Sequence, residues 1–214
     1  GLGDVYKRQG ISYPQIDPVL IELGALEIRW YSLAYLFGII FGWLYMKYLN
    51  KYQEQKLPQN AYDNIPIWVI ISIILGGRFG YVLFYNFEYY LHNFSEILFV
   101  WKGGMSFHGG MIGLIIGAIL FCKKYKLNFY TIMDGLAAAA PIGLLLGRIS
   151  NFINGELRGK ITYWDYGVIY PGENFARHAS QLYEAMLEGA VLFIILYYAA
   201  TKLNLLKKPG KISG

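Results

Sequence analysis

An arginine inside an apolar stretch is costly to keep unless it is paired, hydrated or close to a membrane rim, and this chain carries two. Arg148 stands in LLLGRISNFINGE. On a helix it shares a face with Asn151, three residues on, and Asn154, Gly155 and Glu156 follow where the helix must stop. One rim then gathers a cation, two amides and a carboxylate. The planar guanidinium fork matches two phosphate oxygens, so the group fits a phosphate ligand; the competing reading is an Arg148–Glu156 ion pair that closes the helix end. Arg78 stands in LGGRFGYVLFYN, where it is either a functional cation or a side chain that snorkels to the interface.

His108 lies in MSFHGGMIG. A single histidine is more often interfacial or packed than catalytic. Here Gly103, Gly104, Gly109 and Gly110 flank it, so backbone or substrate could approach the ring closely. An imidazole that titrates near neutrality suits a general base for a thiol or an alcohol. Gln181, Glu184 and Glu188 recur at i, i+3 and i+7 as a polar stripe on one helix, and Arg78, Arg148 or Arg177 are the cations available to those carboxylates. The stripe either locks helices together or acts directly. Asp134 reads as a helix-start or interface residue. His92, His108 and His178 lie far apart and the single cysteine, Cys122, is remote from them, so no metal-ligand spacing emerges and neither a metal nor a cofactor is expected. Phosphate loops, nucleophile elbows and dinucleotide fingerprints are absent from the sequence.

What positions these residues is a set of apolar blocks. The 214 residues are 56% hydrophobic, 18% aromatic and 15% charged, too apolar for a soluble domain. Stretches near the ~20 residues that span a bilayer run from Trp30 to Leu49, Ile65 to Phe87, Met105 to Cys122, Leu127 to Phe152 and Gln181 to Leu203. The expected fold is all-α, a polytopic bundle with five transmembrane helices. The net charge of +5 is spread in short clusters between the blocks, which favours anionic membrane lipids over nucleic acid.

Loop charge predicts the orientation. Lys47, Lys51, Lys56, Lys123, Lys124, Lys126, Lys202, Lys207, Lys208 and Lys211 follow the odd-numbered crossings, against Lys7, Arg8, Arg29, Lys102, Arg158, Lys160 and Arg177 on the other side. The positive-inside rule then puts the N-terminus outside and the end at Gly214 in the cytoplasm. Glycines at i, i+4 (Gly38 and Gly42, Gly76 and Gly80, Gly109 with Gly113 and Gly117, Gly143 and Gly147) predict close helix contacts. The polar start lacks the features of a cleavable signal. Residues 1–10 read as a foreign tail and residues 11–214 as one membrane domain.

Five segments, in order, resemble the bacterial prolipoprotein diacylglyceryl transferases: WYSLAY from Trp30, LGGRFGYVLFYN from Leu75, GGMSFHGGMIG from Gly103, GRISNFINGELRG from Gly147 and RHASQLYEAMLEG from Arg177. The fourth resembles the family's signature of Gly-Arg, two residues, Asn-Phe, one residue, Asn, one residue, Glu and a closing Gly. The resemblance implies a multi-pass enzyme of the bacterial inner membrane with its active site on the outer side. It would move the diacylglyceryl group of phosphatidylglycerol onto the lipobox cysteine thiol of a prolipoprotein signal peptide. His108, Tyr31 and Arg148 then match catalytic positions. Arg148, Arg78, Asn151, Asn154, Glu156, Gly159, His178, Gln181, Tyr183 and Glu184 match substrate-binding ones. Ser150 stands where the family usually has Gly or Ala, and Ala179 replaces a proline. The family continues past KKPGKISG with two more crossings and another arginine, so the domain reads as incomplete and the fragment as weak or inactive. The rival readings are a small membrane transporter or lipid-handling protein, which accounts for buried charges but not for five ordered segments, and an inactive scaffold fragment.

Overall fold

The computed structural model describes residues 10–23 and 26–214. Residues 1–9, which hold nearly all of the stretch read as a foreign tail together with Lys7 and Arg8, lie outside the described residues. Among the described residues five helices are long and apolar enough to cross a membrane. They comprise α1 (Trp30–Leu49), α2 (Gln59–Phe84), α4 (Phe107–Tyr125), α5 (Phe129–Ile153) and a final run over Ser180–Thr201. A short helix, α3 (Phe87–His92), follows α2. The final run is continuous but not uniform: α6 (Ser180–Glu184) passes through a π-helical stretch, Ala185–Val191, into α7 (Leu192–Thr201). The first crossing begins and ends where the apolar pattern does. The second starts six residues earlier than the pattern, at Gln59, because Pro58 fixes the entry and the polar first turn can stay wet.

Between the crossings lie strands that apolar patterning did not reveal. β1 (Ile11–Ser12), β4 (Ile161–Thr162), β5 (Val168–Ile169) and β6 (Ala176–Arg177) form one sheet in the order β1-β5-β6-β4, with β1 parallel to β5 and the other pairs antiparallel. β2 (Val19–Leu23) pairs antiparallel with β3 (Leu26–Arg29). Two-residue strands are too short to show a period of two, which is why they were invisible.

Two compact units partition the chain: Gly1–Tyr45 with Ala138–Ala199, and Met46–Ala137 with Ala200–Gly214. In the first, α1 runs antiparallel to α5. A Cβ on Gly38 would stand 3.4 Å from Gly143 Cα, and one on Gly42 would stand 3.7 Å from the Ala139 methyl. The start of α1, the end of α5 and the start of α6 therefore share one end. There the four-stranded sheet sits on a small core of Val168, Tyr170 and Ala179, with Tyr13 and Phe152 against it. Gly10, counted above with the tail, packs on this sheet, and the Ile11 amide donates to the Gly167 carbonyl at 2.7 Å.

In the second unit α2 and α4 meet antiparallel along bare backbone. A Cβ on Gly80 would come within 2.7 Å of Gly109 Cα, and one on Gly113 within 2.7 Å of Gly76 Cα. Hydrocarbon chains are as apolar as leucine, so helices in lipid gain from such close approach and not from burial. Gly143 and Gly147 do not follow the expectation for their own faces: a Cβ on either meets nothing within 4 Å. Spacing alone cannot say whether a neighbour fills the glycine face. At the far end of this unit Asp134, 1% exposed, accepts from the amides of Gly210, Ile212 and Ser213 at 2.8, 3.2 and 2.8 Å, which folds the last residues around one carboxylate.

Candidate active site

The first unit places Arg148 five residues before the end of α5, with its side chain 27% exposed. Its Nε stands 2.8 Å from Glu184 Oε2, an ion pair whose N–H does not point along the line, and Nη2 reaches Glu188 Oε2 at 3.5 Å. The Arg148–Glu156 ion pair that was the competing reading does not form. Glu156 accepts from Asn151 Nδ2 at 3.3 Å instead, and the polar stripe on the last crossing supplies the two carboxylates that face Arg148. Glu184 ends α6 and Glu188 lies within the π-helical stretch, where the wider turn alters which side chains share a face. The Nη1 hydrogens of Arg148 have no protein partner among the described residues, so the fork keeps donors free beside its two carboxylates.

Beyond α5 the chain turns sharply. Gly155 takes φ +65° and Leu157, a non-glycine, takes φ +51°. The carbonyls that a helix end leaves without intrahelical partners are taken up by side chains of the sheet region. Tyr13 holds its hydroxyl 2.7 and 2.6 Å from the carbonyls of Phe152 and Ile153. Arg158 Nε donates to Gly155 O at 2.8 Å, and Arg177 Nη1 to Gly159 O at 3.2 Å. Buried Gln181 donates through Nε2 to the Glu156 carbonyl and accepts from the Tyr170 hydroxyl at 3.4 Å. Gly159 has no room for a side chain, because a Cβ would run into the backbone carbonyl of His178. The result is a fixed loop whose carbonyls are used, leaving the Asn154 Oδ1 buried and without a partner.

A carboxylate ties this loop to the sheet. Glu173 accepts from Arg177 Nε at 2.7 Å and from Arg158 Nη1 at 3.1 Å. The Arg177 hydrogen bond, and then that of Arg158, holds its carboxyl below the usual carboxylate range. Burial, and then the nearby Tyr170, push the Tyr13 hydroxyl up. Tyr13, Arg158, Tyr170 and Glu173 were missed from sequence, since nothing in their spacing marks them. His178 Nδ1 lies 3.3 Å from the Tyr183 hydroxyl, and Tyr31 receives a hydrogen bond from Tyr35 at 3.3 Å. Thus the first unit brings Arg148 together with Glu184, Asn151 with Glu156, Glu156 with Gln181, and His178 with Tyr183.

The second unit holds Arg78 and His108. Arg78 is 3% exposed. Its Nε donates to Ile97 O at 2.8 Å, Nη1 to Gly103 O and Gly104 O at 2.5 and 3.1 Å, and Nη2 to Glu96 O at 2.8 Å, with the guanidinium 5.2 Å from the Tyr90 ring centroid. His108 is exposed in the first turn of α4, its ring edge-on to Phe107, and its imidazole makes no hydrogen bond among the described residues. Ser106 caps that helix, its Oγ accepting from the Gly109 amide at 3.1 Å.

Comparison with known proteins agrees with the family resemblance. The family model described as prolipoprotein diacylglyceryl transferase matches residues 18–214. The protein named phosphatidylglycerol--prolipoprotein diacylglyceryl transferase of Rickettsia bellii (strain OSU 85-389) is 50% identical over 206 residues, covering 95% of this chain and 78% of the relative. Its namesake in Rickettsia rickettsii (strain Sheila Smith) is 51% identical over 206 residues, covering 95% of this chain and 79% of the relative. In Rickettsia canadensis (strain McKiel) the namesake is 50% identical over 198 residues, 92% of this chain and 76% of the relative. With five helices fit to cross a membrane and a family match over most of its length, this multi-pass membrane protein belongs to the prolipoprotein diacylglyceryl transferase family.

Proposed function

We propose that the chain moves the diacylglyceryl group of phosphatidylglycerol onto the lipobox cysteine thiol in the signal peptide of a prolipoprotein, at the outer side of a bacterial inner membrane. What carries the reading is half-identity to Rickettsia proteins of that name across 95% of this chain. The loop lysines Lys123, Lys124 and Lys126 supply the orientation, facing the cytoplasm.

The reaction exchanges one bond for another. A thiol proton leaves to a base, the thiolate attacks the glycerol carbon that carries the phosphate ester, the carbon–oxygen bond breaks, and a thioether and glycerol phosphate result. A free thiol has a reference pKa of about 8.5, so it needs a base before it attacks. His108, exposed at a helix start, takes that role, and the proton rests on its imidazole until it passes to solvent or product. The departing phosphate gains charge as the bond breaks. Arg148 meets it with the donors that Glu184 and Glu188, at 2.8 Å from Nε and 3.5 Å from Nη2, leave free. Asn151, Asn154, Glu156, Gly159, Gln181, His178 and Tyr183 shape the headgroup site around it, and Tyr31 lies on the first crossing at the same end of its unit.

The test is transfer from phosphatidylglycerol to a cysteine-bearing signal peptide by protein in membranes. His108→Gln should lower the rate at saturating lipid by about 10²- to 10⁴-fold with little change in lipid affinity. Weaker lipid binding at an unchanged maximal rate would make His108 a binding residue instead.

A further inference from the structure

Arg78 sits six residues before the end of α2, which at a rise of ~1.5 Å per residue puts its Cα about 9 Å below the helix end. Irregular backbone comes down to meet it. Residues 94–104 contain only two short 3₁₀ turns, Phe94–Leu98 and Val100–Lys102, so several of their carbonyls lack helical partners. Such groups are tolerated at membrane depth only where the protein satisfies them. The Arg78 fork does so for Ile97, Gly103 and Gly104 at once and adds a second donor to the Glu96 carbonyl, which also accepts from the Phe99 amide at 3.1 Å. A second tie closes the segment: the Glu96 carboxylate accepts from Lys102 at 2.9 Å and from Tyr89 at 2.9 Å. Hydrogen bonds from Lys102, and then Tyr89, hold the Glu96 carboxyl below the usual range.

The same turn of α2 also holds the start of α4. Gly77, next to Arg78, accepts through its carbonyl from the Ser106 amide at 2.9 Å, and Gly80 lies against Gly109. His108 is thus bracketed by Gly103 and Gly104 on the arginine, Ser106 on Gly77 and Gly109 on Gly80. A phosphate would have to compete for a guanidinium that four carbonyls of the fold already occupy, in a side chain almost wholly out of reach.

We infer that Arg78 is a positioning residue: it folds residues 94–104 onto α2 and so fixes the start of α4, the backbone that carries His108, and it does not grip the lipid phosphate. The link to catalysis rests on the reading of His108 as base. Arg78→Lys keeps the charge but replaces a planar fork by one ammonium. In the transfer assay kcat should fall by about ten-fold or more, since small misplacements of a reacting group are costly, while KM for phosphatidylglycerol stays within about two-fold. Hydrogen exchange of the amides over residues 96–109 should quicken. In a His108→Gln background Arg78→Lys should cost less than about two-fold more, because the group it positions is already gone.

A raised KM at unchanged kcat overturns the inference, as do unchanged exchange over residues 96–109 or a full multiplicative loss in the double variant. Where Arg78→Lys fails to accumulate, Glu96→Gln serves: it loosens the same segment, leaves Arg78 in place, and should shift exchange and kcat in the same direction by less. No shift in either overturns the inference too. His108→Gln with undiminished transfer removes the base reading, and with it the link to Arg78; the exchange measurement separates that failure from a failure of the anchor itself.

Discussion

Arg78 and Arg148 stand at matching places on their helices, six and five residues from the ends of α2 and α5, yet their surroundings differ in kind. Arg78 is 3% exposed and bound to backbone carbonyls, whereas the Arg148 side chain is 27% exposed and faces two carboxylates. A carbonyl of the fold cannot leave without unfolding its segment. A glutamate side chain can rotate aside when another anion arrives, and the Arg148 fork has donors to spare. A buried arginine is therefore no marker of a ligand by itself; the type of partner decides between anchor and grip.

The largest expected effect comes from breaking the seam beneath Arg78. Gly109→Val puts side-chain atoms into the backbone of Gly76 and Gly80, which cannot move aside, so folded protein should be almost lost from membranes. Gly143→Ala meets open space and should leave abundance unchanged. Immunoblots of membranes carrying each variant check both. Equal abundance of the two would mean that the close contact of α2 and α4 is dispensable.

Next in size is the grip itself. Arg148→Ala should cut transfer on the order of 10²- to 10³-fold at normal abundance, as removal of a charge-stabilising donor does elsewhere. Arg148→Lys should do nearly as much harm, because it keeps the charge and loses the fork. Measuring transfer beside abundance separates the cases. Near-normal transfer by Arg148→Lys would reduce Arg148 to a snorkelling anchor, and the contrast with Arg78 would dissolve.

How far these differences were legible in the sequence follows from what carries each signal. The seam was legible because close helix contact demands a residue type, and Gly76, Gly80, Gly109 and Gly113 advertise it; Gly143 and Gly147 carry the same spacing, yet a Cβ on either would point into open space, although Gly143 itself lies against Gly38. The carboxylates opposite Arg148 were legible as a stripe with helical period, although the stripe left Arg78, Arg148 and Arg177 open as its cations and Glu156, nearer in sequence, was a competing partner for Arg148. The partners of Arg78 were not legible, because a backbone carbonyl belongs to every residue and leaves no trace in composition. The sheet was hidden for a related reason: strands of two residues have no alternation to read, and Tyr13 reaches the end of α5 across 139 residues. The family resemblance marked positions in these segments but could not say which side chains touch.

The smallest effect separates the loop's scaffold from the grip it supports. Glu173 bridges Arg177 and Arg158, whose hydrogen bonds lower its pKa in the folded chain. A group whose folded pKa is depressed contributes stability that is fully present above its unfolded value, about 4.3 for glutamate, and that is lost as pH falls through the folded value. The loop after α5 should therefore be insensitive to pH near neutrality, where the Glu173 contribution is fully present, and loosen only below about pH 4.3. Both arginines remain partly in water, which screens the pair and keeps its contribution near the ~0–1 kcal/mol of surface ion pairs. Hydrogen exchange over residues 155–177, followed from pH 7 to pH 3.5, measures it. Exchange should be corrected for its intrinsic pH dependence. Glu173→Gln should flatten the acid response and leave the amides of residues 96–104, anchored on Arg78, as protected as before. If the acid response survives Glu173→Gln unchanged, some other group ties this loop down and the arginine bridge is incidental.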